Sequence, residues 1–231
     1  MRTGAIRDLM QSWRRAGGYY RDPKSYWEAR HGAHQDSLLG PGCIQLDEEA
    51  NRDDYEAKWD QLRLVLEREV QAGATRILDA GCGTGWFTRR AAKLGFAEID
   101  AVDFSTTAAE IAQRTAPTSR VRVAELDQIT STEPYDVVMC IDVLFHVVEE
   151  AMWARSVNNL AALAGRNGAL VIQDSFNETG KPQPASHVRF RSLPIYQREL
   201  REWHLEAYNT YVLPNEVIRK DLMVFRRVAS A

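Results

Sequence analysis

A chain of 231 residues, 45% hydrophobic and 26% charged, can bury one large core but is cramped for two, and its composition excludes a disordered or coiled-coil protein. The formal net charge of -3, with Lys and Arg scattered, offers no general field for a polyanion and argues against a nucleic-acid partner. No apolar stretch approaches the roughly 20 residues that span a bilayer, and the start lacks a signal-peptide core, so the expectation is a cytoplasmic protein without a membrane partner.

Along the chain, Arg2 to Arg15 has helical spacing, after which Gly17-Gly18, Asp22-Pro23 and Gly40-Pro41-Gly42 predict loops. Trp13, Tyr19, Tyr20, Tyr26 and Trp27 make this stretch more aromatic than a solvated tail, so some of these rings are expected to pack on the main body. Residues 53 to 71, carrying Trp59, Leu62, Leu66 and Val70 between Glu-rich positions, predict an amphipathic helix lying on one face of a sheet. From Thr75 short apolar runs alternate with helical segments, the pattern of βαβ units. Strands are predicted at 76–79, 98–102, 121–124, 136–141 and 169–173, with helices near 86–94, 106–115, 149–164 and 195–203. The runs 205–213 and 221–228, joined by a short link, predict an antiparallel pair that closes the sheet. Cys43, Cys82 and Cys140 have neither paired nor metal-ligand spacing and read as reduced, mostly buried side chains.

The chemistry starts at Arg-Ile-Leu-Asp-Ala-Gly-Cys-Gly-Thr-Gly-Trp-Phe-Thr, residues 76 to 88, where an apolar strand runs through Gly81, Gly83 and Gly85 into a helix. Ligands of open parallel sheets bind beyond the carboxyl ends of the strands, and glycines let the backbone approach them. A dinucleotide fingerprint needs its third glycine one residue later, where Trp86 stands, and the Lys-Ser/Thr ending of a P-loop is missing. Asp79 at the strand end would repel a phosphate and attract an ammonium group, a preference that suits S-adenosylmethionine, which carries an ammonium and a sulfonium and no phosphate.

With this segment the chain, over roughly 75 to 228, resembles the class I S-adenosylmethionine-dependent methyltransferases, in particular small-molecule or sugar O-methyltransferases. The resemblance implies a doubly wound, Rossmann-like α/β sheet, mostly parallel with an antiparallel C-terminal pair, over residues 73–231, and an N-terminal helical cap and acceptor-pocket lid over residues 1–72. It also implies that Asp79 and the loop Gly81, Cys82, Gly83, Gly85 and Trp86 hold the amino-acid end of the cofactor, and that Asp103, next to Phe104, accepts the ribose hydroxyls. Asp127 would read the adenine amino group beside Gln128, and Ile141 would line the exit face.

Methyl transfer from a sulfonium needs the acceptor close and in line more than it needs acid catalysis, but a hydroxyl acceptor needs a base. His146, just after the fourth strand, is the candidate base, with Asp142 and Tyr196 as further catalytic candidates. Asp142 and Asp174 end adjacent strands in an arrangement similar to the cation site of catechol-type O-methyltransferases, which would admit Mg²⁺. Tyr20, Trp27, His187, Arg189 and Arg191 are candidates for binding a hydroxyl-rich acceptor, so the favoured reading is O-methylation of a sugar, a glycoside or another polar alcohol. An N-methyltransferase acting on a small amine, an inactive cofactor-binding module and a dinucleotide oxidoreductase are the competing readings, and a homodimer is compatible with all of them.

Overall fold

The computed structural model describes residues 22–35, 37–176, 187–214 and 219–227. The first described element is a helix where the turn signals of the sequence predict loops: α1 (Pro23–Ala33) starts where the Asp22 carboxylate accepts the Lys24 N–H at 3.1 Å and Pro23 occupies the first turn. Asp at the cap and Pro just inside it are helix-starting residues, so the Asp22-Pro23 pair opens a helix here instead of breaking the chain. α2 (Glu48–Gln71) is capped by Asp47, which accepts from Ala50 N at 2.8 Å, and begins five residues earlier than the apolar periodicity shows because its first turn is acidic and polar. The predicted helix over Arg2 to Arg15, and Tyr20, lie outside the described residues.

The remainder alternates as β1 (Arg76–Ala80), α3 (Trp86–Ala91), β2 (Glu98–Asp103), α4 (Thr106–Thr115), β3 (Arg120–Val123), β4 (Tyr135–Ile141), α5 (Glu150–Leu163), β5 (Ala164–Asp174), α6 (Leu193–Glu199), β6 (Trp203–Val212) and β7 (Arg219–Arg227). These strands form one sheet in the order β3-β2-β1-β4-β5-β7-β6. The first five are parallel, while β7 pairs antiparallel with both β5 and β6, as the two adjacent apolar runs at the end of the sequence predict.

The central strands are apolar on both faces, and their alternation sorts neighbours into two cores. Leu78, Val138, Cys140 and Leu170 pack with Trp153, Val157 and Leu160 of α5 and with Tyr196 of α6. Ile77, Val137, Met139 and Val171 pack on the opposite face with Tyr55, Trp59, Leu62 and Leu66 of α2 and Phe87 of α3. α2 is thus a sheet-covering layer of the main core, whereas α1 sits beyond the strand ends. The strand order reverses between β1 and β4, and a crevice opens above their carboxyl ends, the place where open α/β sheets bind ligands.

Candidate active site

A cavity of about 390 Å³ occupies that crevice. Its floor is the loop after β1. Gly81 and Gly83 have φ of 81° and 53°, a region that residues with a Cβ avoid, and a Cβ on Gly81 would lie 2.4 Å from Val143 Cγ2. Gly85, also at positive φ (80°), serves packing as well: a Cβ there would meet the Ala112 Cα at 2.9 Å, so the third glycine lets α3 approach α4, and it does not line the cavity. Cys82 and Trp86 do line it; the Cys82 thiol is buried and held well above its ordinary range by desolvation, as expected of an inert wall residue.

Asp103 is the carboxylate that faces this cavity from the end of β2. It accepts Gly83 N–H at 2.8 Å and Ser105 N–H at 2.9 Å, which ties it to the glycine loop and to the start of α4, and burial raises it to about 6. Phe104 lines the same edge. Asp79, given the leading electrostatic role by the sequence, is placed differently. It is 2% exposed, accepts the Thr88 hydroxyl at 2.6 Å and lies beneath the loop, outside the cavity lining. Burial raises it to about 7, so it fastens β1 to α3 and does not present an open negative charge.

The charge preference assigned to Asp79 is nevertheless carried by others. Among the described residues the cavity is lined by five carboxylates (Asp22, Asp103, Glu125, Asp142 and Glu149) and one lysine, Lys24; Asp142 is countered from behind by Lys58 and Lys220, which leaves four carboxylates against Lys24. Such a lining disfavours phosphates and suits a phosphate-free, positively charged adenosine derivative. On the far side of Asp103, Glu125 and Leu126 line the cavity while Asp127 and Gln128 do not. One Asp127 oxygen is bound by Arg155 at 3.0 Å and the other is buried without a hydrogen-bond partner, outside the cavity lining. Ile141 closes the lining at the end of β4.

Another part of the lining is made of rings. Trp27 and His31 descend from α1, Tyr55 from α2, and His146 from the turn after β4. The Trp27 and His146 rings meet edge to face with centroids 5.1 Å apart, and Trp27 stacks on His31 at 5.5 Å. His146 Nδ1 lies 3.3 Å from the His187 carbonyl, which can only accept, so the proton sits on Nδ1 and the basic lone pair on Nε2. Burial lowers His146 to about 3, and it is neutral at physiological pH.

α1 is fastened to the start of α4 as well. The Glu28 carboxylate accepts Thr106 N–H at 2.7 Å and Thr107 N–H at 3.0 Å, satisfying the first turn of α4. Sequence reading missed Glu28, since its partners come from a helix start far along the chain.

Several other expectations are corrected. Arg191 is 2% exposed and points away from the cavity: it donates to Val147 O at 2.9 Å, pairs with Glu150 at 3.2 Å and lies 4.4 Å from the Trp153 ring centroid. Arg189 pairs with the same Glu150, and His187 stands behind His146 rather than in the lining. Tyr196 is fully buried on the α5 face and donates its hydroxyl to Asp174, so it is a core residue with no route to an acceptor.

The cation site fails on its donor chemistry. The Asp142 oxygens are taken by Lys220 Nζ at 2.7 Å and Lys58 Nζ at 2.8 Å, while Asp174 accepts from Tyr196 and from Ser175 N–H and is raised to about 7 by burial. Two lysines against one carboxylate repel a divalent cation, and no cluster of three or more His, Cys, Asp or Glu able to hold a metal occurs among the described residues. Lys58 and Lys220 carry no signal in the sequence beyond ordinary polar positions.

Comparison with known proteins decides the family. Residues 77–168 match the methyltransferase domain model. Over that segment the chain carries a methyltransferase domain of the class I S-adenosylmethionine-dependent type. It is 28% identical over 166 residues to a ubiquinone biosynthesis O-methyltransferase of Bradyrhizobium diazoefficiens, covering 67% of this chain and 60% of that protein. Its identity to the protein of the same name from Bordetella bronchiseptica is 31% over 163 residues, covering 68% and 64%. The chain spans between 41% and 64% of the length of the curated relatives it matches. Magnesium protoporphyrin IX methyltransferase (ChlM) of Synechocystis with bound S-adenosylhomocysteine shares the fold at TM-score 0.71 and 19% identity, covering 88% of this chain and 97% of that one. The N-methyltransferase NodS of Bradyrhizobium japonicum shares it at TM-score 0.66 and 16% identity, covering 87% and 99%.

Proposed function

We propose that this methyltransferase moves the methyl group of S-adenosylmethionine to an acidic hydroxyl on a small molecule with a flat, mostly apolar body. The observation that carries the reading is the group of rings, Trp27, His31, Tyr55 and His146, that lines the cavity together with its carboxylates. A sugar or glycoside acceptor fits less well, because Arg191 and Arg189, which were to bind its hydroxyls, are committed to Glu150 and backbone carbonyls outside the cavity.

S-adenosylmethionine, when bound, supplies a methyl group on a sulfur that is already a good leaving group. The work left to the chain is holding and aiming. Asp103 accepts hydroxyl protons at the β2 end, the bare backbone of Gly81 and Gly83 admits a close ligand, and Trp27 and His146 close over the acceptor. His146 Nε2 receives the acceptor proton while the His187 carbonyl holds the ring by Nδ1. A buried imidazole held at about 3 is a weak base, so it matches a phenol-type hydroxyl, whose pKa is about 10, better than a far less acidic alcohol. The carboxylates and rings around the cavity favour one second reading, methylation of an amine that arrives as its cation and gives up a proton to a lining carboxylate, freeing the lone pair that attacks the methyl group.

Calorimetry with S-adenosylhomocysteine and NAD, followed by a labelled-methyl screen of phenols, glycosides and amines, tests the reading. Binding of the homocysteine compound and labelling of phenols is the expected result. Labelling confined to glycosides would remove the proposed acceptor, labelling confined to amines would establish the second reading, and binding without any transfer would leave a cofactor-binding module.

A further inference from the structure

Asp142 has φ of 60°, alone among the described non-glycine residues in the left-handed region, at the point where β4 gives way to the turn carrying His146. Such a conformation costs about 1 to 3 kcal/mol and persists only where the surroundings hold it. The surroundings here are specific. Lys58 Nζ reaches Oδ2 from α2 at 2.8 Å, Lys220 Nζ reaches Oδ1 from β7 at 2.7 Å, and Gln173 of β5 donates to Oδ1 at 3.2 Å. Both lysine side chains are at most 10% exposed, and they lie over the rings of Tyr55 and Phe145 at 4.6 Å and 4.9 Å. Solvent can therefore replace neither partner cheaply.

The turn that begins at Asp142 touches both halves of the cavity. Val143 fills the space that Gly81 leaves open in the cofactor loop, and His146 meets Trp27 in the acceptor wall. We propose that Lys58 and Lys220 are positioning residues that hold Asp142 from two sides and thereby fix the 143–146 turn against the glycine loop and toward the acceptor. The effect on His146 rests on its proposed role as proton acceptor; the effect on the turn and on the cofactor loop does not. Nothing in the Lys-x-x-x or β-strand patterns of the sequence marks these lysines, because their shared partner is set by the meeting of α2, β4 and β7.

The test uses Lys220→Met, Lys58→Met, Lys220→Arg, Asp142→Asn and the Asp142→Asn/Lys220→Met double variant of the full chain. Each methionine variant still leaves Asp142 with one ammonium partner, which favours folding. Hydrogen exchange followed by mass spectrometry is read over 142–147 and over the β1 and β5 strands, and S-adenosylhomocysteine affinity is measured on the same samples. The expected result is exchange about tenfold faster in 142–147 with the strands unchanged. Homocysteine-adduct affinity should fall several-fold, with restoration by Lys220→Arg and a double variant whose loss is smaller than the sum of the single losses. Unchanged exchange in 142–147 in folded methionine variants, or losses that simply add in the double variant, would overturn the proposal. Should a methionine variant not fold, Asp142→Asn alone decides: it keeps a residue tolerant of positive φ, so unaltered exchange in the turn would remove the clamp. A chain that fails to bind the homocysteine compound refutes the functional reading, while the exchange data still decide the clamp.

Discussion

The cofactor end and the acceptor end of the cavity are built on different principles. At the cofactor end the critical features are backbone: positive φ at Gly81 and Gly83, amide hydrogens on Asp103, and a glycine pressed against Ala112. At the acceptor end they are side chains gathered from α1, α2, the turn after β4 and the last strand, with His146 walled by Trp27 and the turn pinned through Asp142. The first kind of site is dictated by local sequence; the second exists only once distant elements have met.

If that division is right, substitutions at the two ends should separate binding from turnover. The largest effect is expected from His146→Ala, which should lower turnover by about 10² to 10⁴ while leaving homocysteine-adduct affinity nearly unchanged in calorimetry. Equal losses in both would mean that the two ends are not separable. Gly81→Ala works in the opposite sense: strain of about 1 to 3 kcal/mol at its φ, added to the collision with Val143, should weaken cofactor binding about ten- to a hundredfold. Wild-type affinity in this variant would show that the loop can shift, against the close approach seen here.

Asp103→Asn should have a smaller effect, about tenfold in cofactor affinity, since it removes hydrogen bonds to a charged acceptor and keeps the shape. The smallest effect concerns pH. Asp103 is raised to about 6, so its ionised form, the better acceptor for hydroxyl protons, gains population as pH rises through 6, and cofactor affinity measured from pH 5 to 7 should rise. For stability the sign is reversed. Asp79, raised to about 7, favours the fold while protonated, and that contribution is lost as pH climbs from the unfolded carboxylate value of about 4 through 7. A ligand-free melting temperature that rose over this interval would contradict the burial assigned to Asp79.

The same division explains what the sequence revealed. The glycine loop, Asp103 and the order of strands and helices were legible because they follow from φ restrictions, strand ends and two-residue alternation. Trp27 and His146 were found from aromatic density and from position after a strand. Arg191 and Tyr196 were misread because an arginine in a loop and a tyrosine on a short helix look accessible until Glu150, Trp153 and Asp174 enclose them. Asp79 has the right spacing for a ligand carboxylate, and only the Thr88 hydroxyl bond shows it turned under the loop. Lys58, Lys220 and Glu28 had no local signature at all, since each is defined by a partner on another element.

The position of β7 between β5 and β6 has a consequence for biogenesis. Lys220 belongs to β7, which follows every other described strand in sequence, yet its ammonium completes the countercharge of a carboxylate that lines the crevice. A ribosome that has released everything up to β6 has therefore produced a layered body whose pocket is still unfinished, with Asp142 held by Lys58 alone. The crevice is therefore completed only once β7 has been made, so a product terminated before β7 would lack a properly set reaction chamber.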